Sequence, residues 1–193
     1  MSDTGWISPG TVSQYYVSGF ENSWTDLNNI KSSNDSLAYA SCSLYATKVV
    51  HCTGFNFNIP SGSEINGVEF SIEGYTTARD SPFGGSGVDI PGRVALEEVT
   101  DYLTTFDKTL SPILYFSDSS TQQTVTAGSS TDLWGRSLTD SDFDSNFVLS
   151  FYVDGEAGGT NHYVDHIQIK VYYTEGGTPI IGVKYPLPPF KRP

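Results

Sequence analysis

Two of the chain's three histidines stand four residues apart beside an acid, in "NHYVDHIQIKVYYTEGG", residues 161–177. His162, Asp165 and His166 are the residue types of a metal centre or of a general-base dyad. Their spacing argues against both. Alternation through the stretch predicts a strand on which His162 and His166 share one face about 13 Å apart, too far to hold one ion without a bulge. Asp165 then falls on the opposite face, with Tyr163 and Ile167. A buried Asp165 is expected to hold backbone N–H groups of a loop, and the histidines to decorate the strand.

Other acids invite the same scrutiny. In "DSDFDSN", residues 140–146, Asp140, Asp142 and Asp144 alternate like the start of a calcium loop, but Ser145 and Phe151 stand where the EF-hand pattern needs Gly and Glu. Thr139 followed by Asp140 and Asp142 predicts instead a capped helical turn with acids at its positive end. Calcium in a different geometry stays open, and no other cofactor is expected. Glu97 and Glu98, neighbours on a predicted strand, point to opposite faces and do not by themselves form a glycosidase pair. The chain has no Gly-x-Ser-x-Gly elbow, phosphate loop or HExxH. It is therefore expected not to be an enzyme.

Trp6, Trp24 and Trp134 lie near glycines or polar loop residues. An exposed ring, above all Trp134 beside Asp132, would stack on a glycan. A buried one would plug the end of a core, and the plug is the expectation. Cys42 and Cys52, on opposite arms of a candidate hairpin, fit no zinc spacing and are expected as reduced, buried thiols.

The elements that must carry these residues are strands. With 12 Tyr, 11 Phe and 19 Gly but a single Met, the 193 residues favour β structure. "EINGVEFSIEGYT" sets Val68, Phe70 and Ile72 against Glu69, Ser71 and Glu73, and "FVLSFYVDG" sets Phe147, Leu149, Phe151 and Val153 on one side. This last segment and 161–174, joined by "DGEAGGTN", predict a hairpin. Weaker strands are expected at 13–18, 37–46, 52–59, 93–99, 112–116 and 122–127. The fold expected is all-β, a two-sheet antiparallel sandwich of jelly-roll type with extended N- and C-terminal segments. A lead over 1–19 precedes a sandwich domain over 20–175, and a Pro-rich arm covers 176–193.

A formal charge of −12, from 10 basic against 22 acidic residues, would repel a phosphate backbone, so nucleic acid is not an expected partner. No apolar run is long enough for a membrane helix, and "MSDTGWISPG" lacks the plan of a signal peptide, so no membrane is expected and synthesis in a cytoplasm is. The arm departs from the rest of the chain. Residues 179–193 hold five of the ten prolines and no acid. Extended, they reach roughly 45 Å. Their apolar side chains must either pack back on their own domain or dock on a neighbour, and Ile181, Tyr185, Leu187, Phe190, Lys191 and Arg192 are the candidate partner-binding residues.

A set of motifs then carries a resemblance: Trp24 with Asn28 and Asn29; Phe55 to Pro60; Ile65 to Gly67; Asp132 to Gly135; Asn146 with Phe147; and Val164 to Thr174. In this order, over about residues 24–174, they resemble a β-sandwich family found in the structural gene clusters of tailed bacteriophages. The resemblance implies a virion component made in a bacterial cytoplasm, on the model of a capsid cement or decoration protein, with a tail accessory or host-contact protein as the alternative. The partners implied are the major capsid protein or tail proteins, copies of the chain itself and, in the host-contact case, a surface glycan met by Asp132 and Trp134. It implies no catalytic residues.

Overall fold

The computed structural model describes residues 1–42, 45–78, 92–100, 108–109, 121–153 and 159–176. Its strands are β1 (Ser2–Asp3), β2 (Thr11–Tyr15), β3 (Phe20–Asn22), β4 (Trp24–Thr25), β5 (Ala38–Cys42), β6 (Ala46–Thr47), β7 (Val49–Thr53), β8 (Glu64–Ala78), β9 (Gly92–Ala95), β10 (Lys108–Thr109), β11 (Gln123–Gly128), β12 (Leu149–Val153) and β13 (Thr160–Thr174). The larger sheet has the order β11-β8-β13-β5-β4 and the smaller β10-β9-β12-β7-β2. Pairing is antiparallel except for the short β3–β6 ladder. From β7 onward every step along the chain changes sheet except β9 to β10, the crossing pattern of a jelly-roll-like sandwich.

That topology corrects two local expectations. β12 and β13 are not a hairpin: β12 pairs with β7 and β9 in the smaller sheet, whereas β13 pairs with β8 and β5 in the larger. Nor are Cys42 and Cys52 on a hairpin, since β5 and β7 also belong to different sheets. Neither cysteine forms a disulfide, both are buried, and burial pushes the Cys52 thiol well up. Residues 54–59, expected to continue a strand, leave it after Thr53 and lay Phe55 into the core. The expected strand at 112–116 lies outside the described residues.

Residues 1–19, expected ahead of the domain, are woven into it. β1 pairs with the end of β13, Ile7 bridges Ile169, and β2 forms the edge of the smaller sheet beside β7. The same short segment thus joins both sheets.

β13 owes its central place to its length, pairing with β8 from Thr160 to Thr174. Within its first half the register slips, because Val164 faces Gly74 while His166 faces Glu73, and Asp165 is the extra residue of a bulge. The bulge reverses the alternation. His162 and Val164 lie buried before it and Ile167, Ile169 and Val171 after it, with Tyr163, His166, Gln168 and Lys170 half-exposed on the outer face. Gly74 is required at this point, since a Cβ there would collide with the Tyr163 carbonyl oxygen.

Between the sheets lies the main core, with Phe70, Ile72, Leu149, Phe151, Ile167 and Ile169 fully enclosed. A second cluster, Val17, Phe20, Ala46, Val49, Ala95, Val99 and Tyr152, covers the outer face of the smaller sheet. Tyr152 meets Phe20 edge to face at 4.4 Å between ring centroids.

Candidate functional site

The "DLWG" motif forms a latch on β8. The Asp132 carboxylate accepts the Trp134 backbone N–H at 2.8 Å, holding Trp134 at a positive φ of 60°, and the indole N–H donates to the Val68 carbonyl at 2.8 Å. Val68 N–H in turn donates to the Asp132 carbonyl at 2.9 Å. Trp134 is only 4% exposed. Asp132 and Trp134 are therefore a structural plug, and the ring has no open face for a glycan. Trp24 is buried as well, whereas Trp6 is 37% exposed with the Lys170 ammonium 4.2 Å from its ring.

The "DSDFDSN" stretch forms the capped turn that the sequence predicts. The Thr139 N–H and hydroxyl both donate to Asp142 Oδ2, at 2.7 and 2.8 Å, before a 3₁₀ turn over Asp140–Phe143. Asp140 accepts the Gly62 N–H at 3.0 Å, and Asp144 accepts both the backbone and side-chain N–H groups of Asn146. These acids are spent on backbone and cap, and Phe143 and Phe147 anchor the turn against Phe57.

Between this turn, the segment after the latch and the bend after β9 lies a cleft of about 320 Å³. Its floor is apolar, from Leu96, Leu138 and Phe147, and its rim is polar, from Glu97, Glu98, Arg136, Asp142, Asp144 and Asn146. Arg136 pairs with Glu97 at 2.7 Å. Glu97 and Glu98 lie past the end of the strand and not on it, because β9 ends at Ala95. The lining holds four carboxylates and one guanidinium, of which Glu97 pairs with Arg136 while Asp142 and Asp144 are engaged in the turn, so the cleft is net acidic with an apolar part, the lining of a small polar-ligand pocket. Sequence reasoning missed it because one wall, residues 96–98, is far in the chain from the other, residues 136–148.

On β13 the histidines part company. His162 faces inward, 1% exposed, with the Thr76 hydroxyl 3.0 Å from Nδ1, whereas His166 faces outward with the Ser8 hydroxyl 2.8 Å from Nε2. They do not share a face, as simple alternation predicts, because the bulge turns one of them over. Burial holds the His166 imidazole below its usual pKa, with Glu73 and Asp165 pulling the other way. Asp165 is fully buried and accepts the Asn34 N–H at 3.3 Å, the loop-holding role expected of it. Among the described residues no group of three His, Cys, Asp or Glu side chains is placed to hold a metal ion, and no helix is long and apolar enough to cross a membrane.

Ile181, Tyr185, Leu187, Phe190, Lys191 and Arg192 lie outside the described residues. No family model matches the chain, and no curated protein does. A solved structure entitled "CBM4 structure and function" is similar over 86% of this chain and 93% of its own, with a TM-score of 0.41 and 12% identity. So distant a likeness carries no weight for role.

Proposed function

We propose that the protein is a structural component of a tailed-phage particle, a capsid cement or decoration protein that works by binding neighbouring subunits and not by catalysis. The observation that carries this reading is the partition of charge: residues 1–176 hold all 22 acids and 7 of the 10 basic residues, while 177–193 hold the other 3 and no acid. A basic, Pro-rich segment joined to an acidic body suits contact with another acidic copy. The motif resemblance supports the particle context. Its residues are framework positions, with Trp24, Phe55, Ile65, Trp134 and Phe147 buried, so they speak for the fold and leave the role to other parts of the chain. Jelly rolls serve as capsid and lectin domains alike, which is an analogy at the level of fold only.

Light scattering on the full chain, with and without an excess of a synthetic peptide of residues 177–193, tests the reading. A defined oligomer that the peptide reduces to monomer is expected. A full chain that stays monomeric, or an oligomer indifferent to the peptide, contradicts it.

The cleft favours a second reading, a host-contact protein that binds a surface glycan. Polar groups beside apolar side chains suit a sugar ring, and the plugged Trp134 is not among the lining residues. Titration calorimetry with bacterial surface glycans should give saturable heat that Arg136→Ala weakens. Heat that Arg136→Ala leaves unchanged, or none at all, removes the cleft from consideration.

A further inference from the structure

The smaller sheet ends on β2, and among the described residues no strand pairs with its far side. Exposed edges are normally guarded by charge, proline or a bulge, because their unpaired N–H and C=O groups recruit other strands. β2 reads Thr-Val-Ser-Gln-Tyr and has none of these. Its end is also aromatic: Tyr15 closes the strand and Tyr16 follows it, 44% and 58% exposed. The edge of the larger sheet at β4 differs, since the Gln14 side-chain amide bonds both the N–H and the carbonyl of Trp24, at 2.8 and 3.0 Å. The opposite edge, β11, is uncharged too, but its outward residues Thr124 and Thr126 offer no exposed aromatic surface.

The chain contains a segment suited to this edge. Within 177–193, Pro179 and Pro186 bracket "IIGVKY", residues 180–185, the longest stretch there that is free of proline. Every residue in it keeps its N–H for a ladder, and its six residues match the five of β2. Ile181, Val183 and Tyr185 alternate with Ile180, Gly182 and Lys184, so one face can meet Tyr15 while Lys184 adds a positive charge next to an acidic body.

We propose that β2 is an acceptor edge for residues 180–185 of a second copy of this chain, which add to the smaller sheet as an extra strand. This rests on the assembly reading above and specifies where the segment lands. Main-chain bonds would supply affinity, and contacts of the Ile181, Val183 and Tyr185 face with Tyr15 would supply register.

Disulfide trapping with two separate populations of the full chain tests the docking. One population carries Ser13→Cys on the exposed part of β2, and the other carries a single cysteine in turn at Ile181, Gly182, Val183 or Lys184. The native Cys42 and Cys52 are buried and stay out of the reaction. After mixing and mild oxidation, a heterodimer linked through position 13 is expected at about tenfold the yield of a control with Thr126→Cys on β11, because docking raises the effective concentration of the thiols. Yields equal to the control overturn the edge assignment. A link that forms only inside a chain carrying both cysteines overturns the second-copy assignment. If peptide 177–193 still dissociates the oligomer in either case, the assembly reading survives. If the full chain is monomeric, both fall.

Discussion

On the larger sheet, the outward residues of β13 after its bulge, from His166 to Tyr172, are half-exposed, whereas on the smaller sheet β12 is buried at all five positions from Leu149 to Val153. Both strands alternate. The difference is the cover over the second face. Val17, Phe20 and Ala46, brought over by the N-terminal quarter of the chain, roof the smaller sheet beside Tyr152, and the His51 ring nitrogen at 2.9 Å from the Val99 carbonyl ties down the adjacent segment. The smaller sheet is therefore an interior layer, and new partners can reach it at its edge and not at its face. The larger sheet presents a solvated face on which Tyr75 and Tyr163 stack at 4.5 Å between centroids.

Substitutions should separate the two sheets by size of effect. Phe151→Ala, in the shared core, is expected to cost about 3–5 kcal/mol in urea unfolding. The sharper comparison is between the outward faces. Tyr152→Ala should cost about 3 kcal/mol, because it opens a cavity under the roof, whereas Tyr163→Ala on the solvated face should cost about 1 kcal/mol or less, the scale of a cross-strand aromatic pair. Equal losses would erase the distinction between a roofed sheet and an open one.

The smallest effect concerns His166. Its folded pKa lies below the usual 6.5, so the unfolded chain binds the proton more readily. Stability from this residue is complete above about 6.5 and declines as pH falls through that value toward the lowered folded pKa. Unfolding midpoints between about pH 7.5 and 5 should therefore fall less steeply for His166→Gln than for the parent chain. A parallel slope would mean that the ring titrates alike in both states.

Much of this architecture was legible in the residues. The alternation at 65–74, 147–153 and 161–174 marks β8, β12 and β13, and the Thr139 cap reads directly from "TDSDF". Which sheet each strand joins was not legible, because β12 and β13 are consecutive and alternate in the same way as a hairpin would, and only long-range pairing sends them apart. The bulge was hidden for a related reason. In "HYVDHIQ" one extra residue moves His162 to the inner face, yet the polar Asp165 keeps the surface pattern looking regular. Trp134 and Asp132 had the composition of a glycan contact, but the positive φ that aims the indole at Val68 is a property of the folded latch. The cleft could not be seen at all, since residues 96–98 meet residues 136–148 only once the sheets have formed.

The central claim is that the sandwich is complete at Gly176, which abuts the Gly62 carbonyl so closely that a Cβ would not fit, and that association resides in residues 177–193. Urea unfolding and light scattering on residues 1–176 beside the full chain test this directly. The account predicts an unchanged unfolding midpoint, measured at a concentration where the full chain is dissociated, together with loss of the oligomer. A truncated chain that unfolds, or one that still assembles like the parent, would contradict it.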